Sequence, residues 1–127
     1  MKEKFELEYI LKTSPRVLES KISTASGLSE WFADDVNNTN DLYVFSWDGQ
    51  EEEAKLLTYK ANHRIKFQWI EDIEEGLDTY FEIAHQVDPM TQTVNLIVTD
   101  FAYAEDKDTA MRTWDQQINA LRRLIGA

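Results

Sequence analysis

The sequence predicts one α+β domain, an antiparallel sheet covered by a long C-terminal helix. Three observations carry this. Apolar and polar residues alternate with period two through most of the chain, the signature of half-buried strands. Short turn signals separate these segments, so consecutive strands pair as hairpins. Near the end, Met111, Trp114, Ile118, Leu121 and Ile125 recur at spacings of 3, 4, 3 and 4, an apolar stripe of helical period.

The first strand is Lys4–Lys12. Phe5, Leu7, Tyr9 and Leu11 share one face, and on the other only Ile10 interrupts the polar residues. Ser14-Pro15 then begins a helix, because Ser caps orphan backbone N–H groups and Pro suits the first helical position. That helix runs to about Thr24, with Leu18, Ile22 and Ala25 on one stripe. Ser26-Gly27 breaks or restarts it, and Leu28, Trp31 and Phe32 form a second short apolar face. The segment Asp34–Asp41 is polar and rich in turn formers and reads as a loop.

Five strands follow. Leu42–Trp47 sets Tyr43, Phe45 and Trp47 on one face, and Asp48-Gly49 marks a turn. Glu52–Tyr59 places Ala54 and Leu56 inward. After Asn62-His63, Arg64–Ile70 alternates Ile65, Phe67 and Trp69 with Arg64, Lys66 and Gln68. Glu71–Gly76 reads as an acidic turn. Leu77–Val87 carries Leu77, Thr79, Phe81 and Ile83 on one side and ends at Asp88-Pro89, since Pro cannot join a ladder. Thr91–Tyr103 aligns Val94, Leu96 and Val98. Asp106 or Asp108 caps the final helix, Arg122 and Arg123 suit its C-terminal dipole, and Gly126 ends it. The expectation is six strands, two short helices after the first, and one long helix, in a single domain spanning residues 1–127.

This pattern resembles the helix-grip fold of the START and birch-pollen-allergen superfamily, in particular the small START-like proteins related to the activator of heat-shock-protein-90 ATPase. The residues that carry the likeness are Leu11, Ser14-Pro15, Val17-Leu18, Ile22-Ser23-Thr24, Leu28 and Trp31-Phe32. Toward the end they are Thr93, Asn95-Leu96, Val98 and Asp100-Phe101-Ala102, leading into a helix with Trp114 and Leu121. The resemblance implies a curved sheet gripping the helix on its concave face. Between them members commonly keep a cavity for lipids, sterols, polyketides or other apolar ligands. Some members are enzymes and others act through protein contacts, so the fold alone does not assign a function.

Composition narrows the classes. The net charge is -11, which repels a phosphate backbone and argues against nucleic acid and anionic membrane surfaces. No apolar run approaches the roughly 18 residues of a membrane helix, so membrane insertion is not expected. With no Cys, thiol chemistry and a disulfide framework are excluded. The N-terminus enters strand-like alternation directly, without a signal-peptide pattern, and cytoplasmic location is the default.

The chemistry-bearing residues point to no catalytic signature. Gly-x-Ser-x-Gly and Gly-rich phosphate loops are absent. His63 and His85 lack metal-ligand spacing and read as surface or structural residues. Two carboxylate clusters, Asp48 with Glu51–Glu53 and Glu71, Asp72, Glu74 and Glu75, sit in turns and are expected to be solvated. Asp100 shares the parity of Val94, Leu96 and Val98. It points inward, with Arg112 as a conceivable partner, unless a bulge near the strand end exposes it, which is the favoured expectation. No metal or cofactor is expected.

The favoured function is therefore a non-catalytic module binding an apolar small molecule or lipid between sheet and terminal helix. Its expected liners are Trp31, Phe45, Trp47, Phe67, Trp69, Phe81, Met111, Trp114 and Ile118; the competing expectation is that these rings only fill the core. A second reading is a protein-interaction module, chaperone-associated or a homodimer, using an exposed Trp31-Phe32 pair. A third, a cyclase or hydrolase working in the cavity, needs convergent polar groups, yet Tyr80, Asp100 and His85 do not share a predicted face.

Overall fold

A computed structural model describes residues 1–127. The chain runs β1 (Glu3–Leu11), α1 (Pro15–Ile22), α2 (Ala25–Leu28), β2 (Asp35–Thr39), β3 (Leu42–Trp47), β4 (Gln50–Lys60), β5 (Arg64–Trp69), α3 (Ile70–Glu74), β6 (Phe81–Asp88), β7 (Thr93–Ala102) and, after a short 3-10 turn, α4 (Lys107–Ile125). All seven strands form one antiparallel sheet in the order β1-β7-β6-β5-β4-β3-β2.

The sheet has seven strands rather than six. The extra one, β2, lies in the segment expected to be a loop. It pairs with β3 through a tight turn at Asn40, whose φ of 54° suits Asn. Only Val36 in β2 is buried; Asn37, Asn38 and Thr39 face water at the sheet edge, so no apolar alternation betrays the strand.

Two further elements depart from expectation around the second acidic cluster. Residues Ile70–Glu74 form the short helix α3 instead of a turn, and β6 starts only at Phe81, not Leu77. In α3 and at its C-cap, Glu71, Glu74 and Glu75 are solvated as expected, but Asp72 is buried. The Lys2 ammonium lies 3.0 Å from its carboxylate and the Thr79 hydroxyl donates to it at 2.5 Å. Burial alone would lower the pKa of Lys2, but the hydrogen bond and charge of Asp72 outweigh it and hold the ammonium above its ordinary value.

Both short helices start as their residues dictate. The Ser14 hydroxyl accepts the Val17 N–H at 3.2 Å with Pro15 at the first helical position, and the Thr24 hydroxyl accepts the Gly27 N–H at 2.9 Å. Gly27 does more than interrupt a helix. A Cβ there would lie 2.3 Å from the Ser20 carbonyl oxygen, so α1 and α2 touch only because this residue has no side chain.

The core lies between the concave face and α4. Trp114, Ile118 and Leu121 of the apolar stripe are buried, while Met111 and Ile125 are half-buried against the same core. Five side-chain hydrogen bonds lash α4 down, the first from Lys107 Nζ to the Glu3 carboxylate at 3.1 Å. Trp114 Nε1 donates to Asp100, Gln117 Nε2 to the Phe32 carbonyl, Arg122 to the Ile10 carbonyl, and the Tyr9 hydroxyl to Asp115. Gly126, at φ 71°, ends the helix in the left-handed conformation.

Candidate functional site

In an antiparallel sheet the ends of alternate strands and the starts of those between them meet along one edge. Here Trp47 at the end of β3, Glu52 near the start of β4, Trp69 at the end of β5, Phe81 at the start of β6 and Asp100 late in β7 converge beneath the N-terminal half of α4. They enclose a cavity of about 310 Å³, open on one side. Ala110, Thr113, Trp114 and Gln117 supply the helix wall, a stripe of helical spacing that shares Trp114 with the apolar one. Phe32 closes the set from the loop after α2.

Phe32 is the hub of the aromatic lining. Its ring lies 5.6 Å from Trp47, 5.7 Å from Phe81 and 5.5 Å from Trp114, and Trp69 lies 5.0 Å from Phe81. Its backbone carbonyl accepts two hydrogen bonds, from Trp47 Nε1 at 3.0 Å and Gln117 Nε2 at 2.9 Å. The loop is thus pinned to both sheet and helix.

Asp100 is the polar centre. The β7 ladder is unbroken from Val94 to Ala102, so no bulge turns its side chain outward, contrary to the favoured expectation. Its partner is not Arg112, which is exposed and reaches only Thr109. Instead Asp100 Oδ2 accepts the Trp114 indole N–H at 2.8 Å, and Oδ1 accepts the Phe101 N–H at 2.7 Å. Burial pushes its carboxyl up to about 6. The two hydrogen bonds and the nearby Lys2 ammonium oppose that rise, and Asp72 adds to it.

Of the expected liners, Trp47, Trp69, Phe81 and Trp114 border the cavity. Phe45, Phe67 and Ile118 are fully buried behind it, with Phe45 and Phe67 packed on Phe81. Trp31 lies on the far side of Phe32, with its indole N–H bonded to the Lys21 carbonyl, and Met111 sits half-buried on α4 outside the lining. Phe32, Glu52, Asp100, Ala110, Thr113 and Gln117 join the site without having been expected as liners. Glu52 has a readable signal, since it shares the parity of inward-facing Ala54 and Leu56.

Other candidates fall elsewhere. Trp31 and Phe32 are 6% and 4% exposed, so they offer no exposed contact surface. Tyr80 packs edge to face against Phe101 under Lys66, away from the cavity. His63 is exposed. His85 is buried with Nε2 3.2 Å from Glu19, which also accepts from the Tyr59 hydroxyl and the Asn62 N–H, joining α1 to the sheet. No three His, Asp or Glu side chains converge as metal ligands, and no helix is long and apolar enough to cross a membrane.

An antiparallel sheet bent around a long C-terminal helix, with an aromatic cavity between them, defines a helix-grip protein. The chain belongs to the START-like superfamily, whose domain model matches residues 1–127. It is similar to the solution structure of BfR322 from Bacteroides fragilis, with 35% identity over 97% of this chain and 90% of that one and a TM-score of 0.67. The Aha1 dimer from Colwellia psychrerythraea shares the fold at 15% identity, with coverage of 97% and 96% and a TM-score of 0.80. So does protein MLL2253 from Mesorhizobium loti, at 15% identity, coverage of 98% and 97%, and a TM-score of 0.80. No curated protein matches the chain.

Proposed function

We propose that this chain is a non-catalytic START-like module that binds an apolar small molecule or a lipid's apolar portion between sheet and α4. The supporting observation is the cavity itself. Its volume of about 310 Å³ sits at the lower end of the roughly 300–1,000 Å³ typical of ligand pockets, and five of its ten liners are aromatic. The rings proposed to touch the ligand are Trp47, Trp69, Phe81, Trp114 and Phe32. Phe45, Phe67 and Ile118 would stiffen the floor, and Trp31 and Met111 the flanks. Burial of apolar surface would drive binding, at about 25 cal/mol per Å² before the losses of freedom on association. The reading is non-catalytic because Tyr80, His85 and Asp100 do not converge on one point.

Three of the four tryptophans border the cavity, so ligand entry is read directly by their emission. Titration with small aromatic and alkyl ligands is expected to shift or quench that emission saturably, and native mass spectrometry to show one ligand per chain. A flat titration across such a panel, with an empty protein in the spectrometer, rules the reading out.

A further inference from the structure

We propose that the ligand is an organic monocation, an amine or quaternary ammonium carried on an apolar body, held between the aromatic rings and Asp100. This rests on the cavity reading above and narrows it to one chemical class.

The lining contains two ionisable side chains, Asp100 and Glu52, both acidic, and no basic one. The remaining polar groups add little for an anion. The Gln117 amide already donates to the Phe32 carbonyl, and the indole N–H groups of Trp47 and Trp114 are taken by that carbonyl and by Asp100. A carboxylate or phosphate entering here would meet two like charges, and only the neutral Trp69 indole N–H and the second Gln117 amide N–H are left to receive it, so fatty acids and phosphorylated ligands are disfavoured. A neutral apolar ligand would displace water from Asp100 and give nothing back.

A cation satisfies every wall. Aromatic faces carry the negative side of the ring quadrupole, and the cavity turns Phe32, Trp47, Trp69, Phe81 and Trp114 toward one space. Asp100 accepts one hydrogen bond at each oxygen, which leaves about half of a carboxylate's lone-pair sites free. Glu52 adds a second negative charge on the opposite side of the sheet edge. The neighbouring ammonium of Lys2 does not compete, because Asp72 holds it at 3.0 Å. A bound cation would also relieve Asp100, whose burial currently disfavours its ionised form. The net charge of -11 favours approach of cations from solution.

The test compares three probes of matched shape by calorimetry at neutral pH: phenethyltrimethylammonium, its neutral carbon isostere (3,3-dimethylbutyl)benzene, and 4-phenylbutyrate. The expected result is that the ammonium binds about tenfold or more tighter than the isostere and that the carboxylate does not bind. Asp100→Asn is expected to erase most of that preference while keeping binding of the isostere. Glu52→Gln, on the exposed rim where folding is not at stake, should weaken the ammonium by a few-fold and increase its tolerance to salt. Equal affinity for ammonium and isostere overturns the cation proposal and leaves the apolar cavity standing. Tightest binding of the carboxylate overturns it as well. If none of the three binds, the cavity reading falls with it.

Discussion

The indole N–H of Trp114 meets the Asp100 carboxylate at 2.8 Å, tying the middle of α4 to the end of β7 at the wall of the cavity. One contact therefore holds the helix on the sheet and compensates a buried acid. Trp114→Phe keeps an aromatic ring but removes the donor. The expected cost is about 1–3 kcal/mol at pH 7.5, where Asp100 is ionised, and less at pH 5. Urea unfolding at both values measures this. Equal losses at the two would show that the contact acts through packing and not through the acid.

Asp100 itself gives a pH signature. Its folded pKa of about 6 lies above the ordinary 3.8, so the folded state favours the protonated form. The stability this contributes is full below pH 3.8 and disappears as pH rises through 6. From the size of the shift it is on the order of 2–3 kcal/mol. Lys2, Asp72 and Glu52 are the charged groups that face Asp100, and all three are common to the parent and the Asp100 variant, so the difference between the two proteins across pH 5.5–7.5 isolates Asp100. Asp100→Asn is expected to become more stable relative to the parent as pH rises from 5.5 to 7.5. Parallel stability curves for the two proteins would contradict the burial of this carboxylate.

Gly27 is expected to tolerate no side chain. A methyl group there meets the Ser20 carbonyl oxygen and the Lys21 Cα, both backbone atoms that cannot swing aside. Gly27→Ala should cost about 1–3 kcal/mol or more by forcing α1 and α2 apart. Ala is otherwise the better helix former, so a thermal midpoint equal to or above the parent's would refute the close approach.

Lys2 neutralises a buried acid at the start of the chain. Lys2→Met leaves Asp72 with the Thr79 hydroxyl as its remaining partner and is expected to destabilise by about 1–3 kcal/mol. The double variant Lys2→Met, Asp72→Asn should recover part of this loss. An additive double variant would show that the two charges do not act as a pair.

Ala110 offers a way to close the cavity without cutting a hydrogen bond. It is half-exposed on the helix wall. Ala110→Phe is expected to fill the space, abolish ligand-dependent change in tryptophan emission, and leave the unfolding midpoint within about 1 kcal/mol of the parent. Retained binding would place the ligand elsewhere.

The parts of this fold that announce themselves are those with a buried face. Phe5 to Leu11, Tyr43 to Trp47, Ile65 to Trp69 and Val94 to Val98 alternate because one side of each strand meets the core, and the α4 stripe is legible for the same reason. The strand at Asp35–Thr39 is silent because its pairing is made by backbone groups and only Val36 turns inward. Asp72 looked solvated because its neighbours are; its burial depends on Lys2, seventy positions away. For Asp100 the parity was visible. What hid its place was the habit of carboxylates to face water, together with a partner, the Trp114 indole, that apolar patterning assigns to the core. The cavity is harder still. It is the volume that Phe32, Trp47, Trp69, Phe81 and Trp114 leave unfilled, and residue identity records what is present, not the gap between.

The nine-residue ladder between β1 and β7, from Glu3 opposite Ala102 to Leu11 opposite Val94, joins segments made at opposite times. During synthesis the first strand emerges with its neighbour still unmade, and it must wait until about residue 102 has been added before it can dock. The meander from β2 to β7 can assemble meanwhile by local hairpins, but its β7 edge stays bare until the early segment returns to it.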